Sequence, residues 1–261
     1  MLTTIASWNV NSLRVRLPQL RDWLTGTSID TPDIIALQET KLTDEDFPQE
    51  EIEALGYQVA YAGQRTYNGV AVLSREPIEV IATDIPGFDD PQRRVLAVQT
   101  RGLLVVDLYV PNGQSVDSDK YRYKLDWLRA LHAWLGNLSP SSTPMIVLGD
   151  FNIAPEDRDV HDPAAWEGKV LVSAAERAAL QAVLDLGLVD VYRRFDQPER
   201  SFSWWDYRAA GFRRNLGLRI DLILAGQSLA QHCVKSWIDK EPRRAERPSD
   251  HTPVLAQFEH G

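Results

Sequence analysis

The stretch Pro144–Asn152, PMIVLGDFN, joins an apolar run to a carboxylate and an amide. Its first half has the length and composition of a buried β-strand. Asp150 and Asn152 follow this strand directly. Loops at strand ends are where α/β proteins hold binding and catalytic side chains on a rigid scaffold. The same arrangement recurs along the chain, so this stretch is the starting point for the fold and for the site.

Short β-rich runs recur from end to end, among them TTIASWNV, DIIALQ, GVAVLSR, LLVVDLYV and PVLAQFE. Leucines at helical spacing predict two helices, around residues 17–24 and 123–135. A third helix is predicted after Ser173, because Glu176 completes a capping box and Gly187 provides a stop. Many strands with few helices predict an α/β fold, a four-layer sandwich of two packed, mainly antiparallel or mixed sheets flanked by helices. Without a linker or repeat, residues 1–261 are predicted to form one domain.

Composition narrows the class of protein. The 261 residues contain one cysteine, Cys233, and carry a net charge of -9. The sequence contains no apolar run of about 20 residues and no secretory signal pattern, so a cytoplasmic protein without a membrane span is expected. The acidic balance argues against a protein that merely coats nucleic acid. The glycine-rich nucleotide signatures are also absent.

Polar residues follow or interrupt several strands, and each is most simply a turn residue. Asp221 is different, because a carboxylate inside an apolar strand needs a partner if it is buried. That partner is a metal ion or an imidazole, and His251 is a candidate. The whole set of polar residues at strand ends is Asn9, Asn11, Glu39, Tyr109, Asp150, Asn152, Asp221, Asp250 and His251.

These residue types make chemical sense together. Glu39 and Asp250 offer hard oxygen ligands of the kind that Mg²⁺ or Mn²⁺ accepts. Asp150 can accept a proton from water, while the amides of Asn9 and Asn152 can donate to a phosphate oxygen. This equipment is suited to metal-assisted attack of water on a phosphodiester.

Eight motifs follow one another along the chain: SWNVNSLR, LQETK, GVAVLSR, DLYVPNG, VLGDFN, FSWWDYR, NLGLRIDLIL and PSDHTPV. In this order they resemble the exonuclease III branch of the abasic-site endonucleases, within the endonuclease/exonuclease/phosphatase superfamily. The resemblance implies a DNase I-like fold. It also implies a magnesium-dependent DNA repair nuclease that cuts 5′ to abasic sites, with 3′→5′ exonuclease and 3′-end-cleaning activity.

The resemblance also implies roles for the polar residues. Glu39 would be the main metal ligand, with Asn11 and Asp250 close by. Asp150 would activate water and His251, oriented by Asp221, would polarise the phosphoryl oxygen. Asn9, Asn152 and Tyr109 would contact the phosphate, and Tyr109 would alternatively stabilise the departing oxygen.

For the substrate, the resemblance places Trp204, Leu218 and Ile220 around an apolar pocket that admits a flipped sugar without a base. Basic residues near the strand ends and the FSWWDYR segment predict a surface track that binds the backbone of double-stranded DNA, on an otherwise acidic monomer. The residues of this track are Arg93, Arg94, Lys120, Lys124 and Arg208.

Two alternatives stay open at this stage. A superfamily enzyme for small phosphate esters would share the acidic motifs, although the aromatic FSWWDYR segment argues against it. A non-catalytic regulator that binds nucleic acid or protein would share the fold, but such a protein would not need the complete acidic set.

Overall fold

The computed structural model describes residues 2–26 and 31–259. Within these ranges the chain forms two six-stranded sheets and a two-stranded ribbon. The strands are β1 (Leu2–Asn9), β2 (Ile34–Gln38), β3 (Gln58–Ala62), β4 (Val70–Ser74), β5 (Glu79–Ala82), β6 (Val95–Thr100), β7 (Leu103–Tyr109), β8 (Met145–Asp150), β9 (Leu188–Asp190), β10 (Trp204–Trp205), β11 (Gly217–Leu218), β12 (Asp221–Gly226), β13 (Cys233–Ile238) and β14 (Val254–Glu259).

Six α-helices accompany the sheets in the described residues, and four of them, the first, second, third and fifth, pack on the outer faces of the sheets. The six are α1 (Leu13–Thr25), α2 (Gln49–Glu53), α3 (Asp119–Asn137), α4 (Pro163–Trp166), α5 (Ala174–Leu184) and α6 (Gln227–Ala230). Among the residues that the structure describes, no helix has both the length and the apolar composition to cross a bilayer.

Each large sheet contains one parallel pair of strands. The first sheet has the order β13-β14-β1-β2-β4-β3, and the second has the order β5-β6-β7-β8-β12-β9. Strands β1 and β2 run parallel, as do β7 and β8, whereas the other pairings are antiparallel. In each parallel pair the carboxyl ends of two strands therefore meet at one edge of the sheet.

The sheets pack face to face through a shared apolar core. Ile5 and Val72 of the first sheet belong to the same buried cluster as Val105 and Ile146 of the second. A second cluster joins the outer face of the second sheet to α3 and α5, and a third joins the first sheet to α1 and α2. The layers are thus helix, sheet, sheet and helix, which confirms the predicted four-layer α/β sandwich.

The helix predicted after Ser173 is confirmed as α5, with the side chains of Ser173 and Glu176 capping each other's backbone. Within the segment FSWWDYR, Trp204 and Trp205 pair with Leu218 and Gly217 in the ribbon β10-β11. A two-residue strand is too short for a sequence pattern to reveal. The same holds for the short helices α2, α4 and α6.

Candidate active site

The two parallel pairs of strands place polar residues at neighbouring sheet edges. Asn9 ends β1 beside Gln38, and Glu39 follows Gln38. In the second sheet, Tyr109 at the end of β7 is the direct partner of Asp150 at the end of β8. Asp150 has Asp221 as its antiparallel partner on the other side. Strand register therefore brings together side chains that are far apart in sequence.

Gly149 allows the two strands β7 and β8 to approach beside Asp150. Its φ is +139°, and a Cβ atom at this position would lie 1.9 Å from the backbone oxygen of Leu108. No other residue fits there without moving β7. Strand packing therefore requires Gly149, and the site uses Asp150, the residue that follows it.

Asn9 links the two sheets at the site. Its Nδ2 donates to Oε1 of Glu39 at 2.8 Å and to Oδ2 of Asp150 at 2.9 Å. Asp150 also accepts a hydrogen bond from the backbone N–H of Asn152 at 2.9 Å. Candidate ligand atoms of Glu39, Asp150 and His251 all lie within 4.8 Å of one another.

Asp221 and His251 form the buried pair that the sequence predicted. Nδ1 of His251 lies 2.9 Å from Oδ2 of Asp221, and the opposite nitrogen, Nε2, lies 3.6 Å from Oδ2 of Asp150. Asp221 is further fixed by Ser203, whose hydroxyl donates to it at 2.6 Å. Ser249 ties the neighbouring loop to β1, because its hydroxyl donates to the backbone oxygen of Asn9. Ser203 was missed in the sequence, since a buried serine has no distinctive pattern.

Burial and neighbouring charges shift the pKa values of Asp150 and His251. Burial raises the pKa of the Asp150 carboxyl to about 7, against the opposing effect of His251. Burial lowers the pKa of His251, but the carboxylates of Asp221 and Asp150 outweigh it and bring the pKa to about 10. His251 is therefore a protonated hydrogen-bond donor at neutral pH, and Asp150 holds a proton more readily than an exposed aspartate does.

Tyr109 remains a phenol at neutral pH. Burial, with the nearby carboxylates of Glu39 and Asp150, raises the pKa of Tyr109 well above its ordinary value. The guanidinium of Arg94 lies 4.7 Å from the centre of the Tyr109 ring. Both residues line a cleft beside Glu39, together with Tyr67, Asn112 and Lys120.

The donor set fits a hard divalent cation. Nζ of Lys41 lies 2.9 Å from Oε2 of Glu39 and 2.5 Å from Oδ1 of Asn11, so both oxygens already contact a positive charge. Nδ2 of Asn11 donates to Oδ1 of Asp250 at 2.8 Å. Carboxylate and amide oxygens of Glu39, Asp150, Asp250 and Asn11 are the ligands that Mg²⁺ and Mn²⁺ favour.

Trp204 reaches the same site. Its Nε1 donates to Oδ2 of Asp250 at 3.0 Å, and its backbone forms an isolated β-bridge with His251. The indole is partly exposed, whereas the adjacent Trp205 is fully buried. The ribbon β10-β11 thus holds the Trp204 ring against the carboxylate of Asp250.

The prediction that Leu218 and Ile220 line an open pocket is wrong for this structure. Their exposed fractions are 0% and 1%. Both belong to a buried cluster with Val160 and Leu171, against which Trp204 packs. An apolar strand residue has the same sequence pattern whether it lines a pocket or belongs to a core. Here the segments that carry Val160 and Leu171 cover both side chains.

The prediction that Lys124 contacts DNA is also wrong. Its side chain is fully buried and its Nζ lies 2.5 Å from Oε1 of Glu176, which is buried too. The remaining predicted cations lie at the surface or at its edge. Lys120 is exposed at the cleft, Arg208 is paired with Asp206 and Arg93 is paired with Asp84.

The fold and the site, where Glu39, Asp150 and His251 could hold a metal ion, define a hydrolase of phosphate esters. The chain belongs to the endonuclease/exonuclease/phosphatase family, whose model matches residues 6–251.

Relatives narrow the class. Exodeoxyribonuclease III of Haemophilus influenzae is 38% identical over 265 residues, covering 97% of this chain and 98% of that protein. Two solved structures each cover 99% of this chain and are covered completely by it. One is the 3′ phosphatase NExo from Neisseria bound to a product DNA hairpin, with 42% identity and a TM-score of 0.93. The other is an AP endonuclease from Archaeoglobus fulgidus, with 38% identity and a TM-score of 0.94. The chain is a phosphodiesterase of the exodeoxyribonuclease III and AP endonuclease type.

Proposed function

We propose that this enzyme is a magnesium- or manganese-dependent DNA repair nuclease. It hydrolyses phosphodiesters from 3′ ends, removes blocking groups from 3′ ends and cuts duplex DNA 5′ to abasic sites. The observation that carries this proposal is the convergence of Glu39, Asp150 and His251 within 4.8 Å, with Asp221 behind the imidazole. The Neisseria relative holds a DNA hairpin on the same fold, which supports DNA as the substrate.

In this proposal Asp150 takes the proton from the attacking water. The side-chain amides of Asn9 and Asn152 donate to Oδ2 of that carboxylate and the backbone N–H of Asn152 donates to Oδ1, so the water meets an oriented base. Protonated His251 donates from Nε2 to a phosphoryl oxygen, and Asp221 holds the ring in that orientation.

The remaining groups bind and neutralise the phosphate. Glu39 would hold the divalent cation, with Asn11 and Asp250 nearby, and that cation would supply positive charge for the phosphoryl oxygens. Tyr109 stays protonated and can donate to the phosphate or to the departing oxygen. Trp204 offers its partly exposed ring to the sugar beside the scissile bond.

The burial of Leu218 and Ile220 affects the balance between abasic-site incision and 3′-end hydrolysis. An abasic sugar that follows the predicted route needs an apolar pocket, and this structure fills that volume with side chains. Hydrolysis at a 3′ end needs only the polar site and the cleft beside Tyr109. We therefore expect 3′-end hydrolysis to be faster than abasic-site incision.

Four substrates test the proposal. These are a hairpin with a recessed 3′ end, the same hairpin with a 3′ phosphate, a duplex with one tetrahydrofuran abasic analogue, and p-nitrophenyl phosphate. Each is incubated with Mg²⁺ and with EDTA. We expect metal-dependent turnover of the first three. Turnover of p-nitrophenyl phosphate alone would favour an esterase of small molecules, and DNA binding without turnover would refute the proposal.

A further inference from the structure

Lys124 is a buried cation that the proposed chemistry does not use. Its ammonium group has three N–H donors and finds three acceptors. It donates to the backbone oxygen of Asn152 at 2.7 Å, to the backbone oxygen of Asn112 at 3.1 Å and to Oε1 of Glu176 at 2.5 Å. Two of its three partners are thus peptide oxygens in the loops that leave β7 and β8, the strands that carry Tyr109 and Asp150.

Glu176 is equally saturated with partners. Its Oε1 also accepts from the backbone of Leu171, and its Oε2 accepts from the backbone N–H and the hydroxyl of Ser173. The carboxylate therefore caps α5 while it pairs with a cation from α3. Three separate loops meet at this ion pair, and all three border the site or the apolar cluster under Trp204.

The two loops also meet on the side of the active site. Nδ2 of Asn112 donates to Oδ1 of Asn152 at 3.1 Å. Asn152 has a left-handed backbone with φ of +49°, and its N–H donates to the carboxylate of Asp150. Gly113 packs on the lysine stem, because a Cβ there would lie 3.2 Å from Cδ of Lys124. A shift of the backbone on either side of Asn152 would therefore move the hydrogen bond from its N–H that orients Asp150.

We propose that Lys124 and Glu176 are positioning residues for the active site. The ammonium holds the backbone oxygens of Asn112 and Asn152 and so fixes the hydrogen bonds by which Asn152 orients the Asp150 carboxylate. The inference rests on the proposed function for its kinetic test. A buried ion pair generally adds little net stability over apolar residues of similar volume, so a role in fixing geometry accounts for it better than stability alone.

The test uses the double variant Lys124→Met/Glu176→Gln. Lys124→Met alone leaves a buried carboxylate unpaired and is expected to fold poorly. The double variant keeps the side-chain volume and an acceptor for the cap of α5, but it removes the donor for both peptide oxygens. Leu131→Ala is the matched control, because Leu131 is a fully buried residue of the same helix.

We expect kcat on the 3′-recessed hairpin to fall about a hundredfold in the double variant with KM within threefold of the wild type, because misplacement by an ångström costs about that much. The side-chain amide resonances of Asn112 and Asn152 should shift in the same variant. Leu131→Ala, assayed well below its Tm, should keep kcat within threefold. An equal loss of kcat in Leu131→Ala, or unshifted amide resonances in the double variant, would overturn the proposal.

A salt titration separates positioning from DNA contact. The slope of log Kd against log salt, measured with EDTA, should be the same for the double variant and the wild type. The slope should fall by about one for Lys120→Met, which removes an exposed cation at the cleft. A reduced slope in the double variant would overturn the positioning role. If the wild type cleaves no DNA, the proposed function fails. The amide resonances would still test whether Lys124 and Glu176 position Asn112 and Asn152.

Discussion

Nδ1 of His251 lies 2.9 Å from Oδ2 of Asp221, and both side chains are almost completely buried. The pair joins the start of β12 to the loop before β14, and these two strands belong to different sheets. The contact therefore couples the packing of the two sheets to the protonation state of the imidazole.

Asp221→Asn is expected to lower the pKa of His251 from about 10. Asp221 makes the largest contribution that raises this pKa, and burial then dominates in its absence. Imidazole ¹⁵N NMR in EDTA measures the titration directly. An unchanged pKa of His251 in Asp221→Asn would show that Asp150 alone maintains the charge.

The same pair predicts a dependence of stability on pH. The pKa of His251 is higher in the folded protein, about 10, than its ordinary value of 6.5. Its contribution to stability is thus fully present below pH 6.5 and is lost as the pH rises to about 10. Urea unfolding should show that the stability difference between the wild type and Asp221→Asn shrinks over this range. A difference that grows with pH would contradict this assignment.

Asp150→Asn should reduce kcat by about 10²- to 10⁴-fold, because the attacking water loses its base. The amide has the shape of the carboxylate, and Asp150 is nearly inaccessible to solvent. DNA affinity, measured by fluorescence anisotropy with EDTA, should stay within a few-fold of the wild type. Comparable turnover in this variant would remove Asp150 from the role of base.

Glu39→Gln should abolish stabilisation by Mg²⁺. A cation that binds only the folded state raises the free energy of unfolding, by about 2.7 kcal/mol at one hundred times its Kd. The measurement is Tm against Mg²⁺ concentration in the absence of DNA. Arg14→Gln, which lies on α1 with an exposed side chain, is the control and should respond like the wild type. Equal Tm shifts for Glu39→Gln would place the cation elsewhere.

Leu218→Ala should cost about 2–5 kcal/mol of unfolding free energy, because it deletes a fully buried side chain. Urea unfolding measures this loss, with abasic-site incision followed in parallel. Unchanged stability with a selective loss of abasic-site incision would show that Leu218 lines an open pocket in solution.

Much of the architecture follows from local patterns. The strand runs, the helix around residues 123–135 and the capping box of α5 are each determined by neighbours a few residues apart. The sequence also predicted a partner for Asp221, because an isolated carboxylate in an apolar strand is costly when buried.

Lys124 shows where this reasoning fails. It lies on the buried face of α3 with Tyr121 and Leu128, and that spacing is visible in the sequence. Glu176, however, is 52 residues away in the chain. Without the partner, a lysine near a binding loop is naturally assigned to the surface.

By itself, the sequence determined the alternation of strands and helices, the composition of the core and the inventory of acids, amides and one imidazole for phosphate hydrolysis. Local periodicity and hydrogen bonding within a few residues are sufficient for these features. Only the tertiary structure decided that Tyr109 meets Asp150, that Leu218 is covered and that Lys124 turns inward. Those outcomes depend on strand register and on packing between distant segments, where a shift of one residue exchanges the buried and exposed faces of a strand.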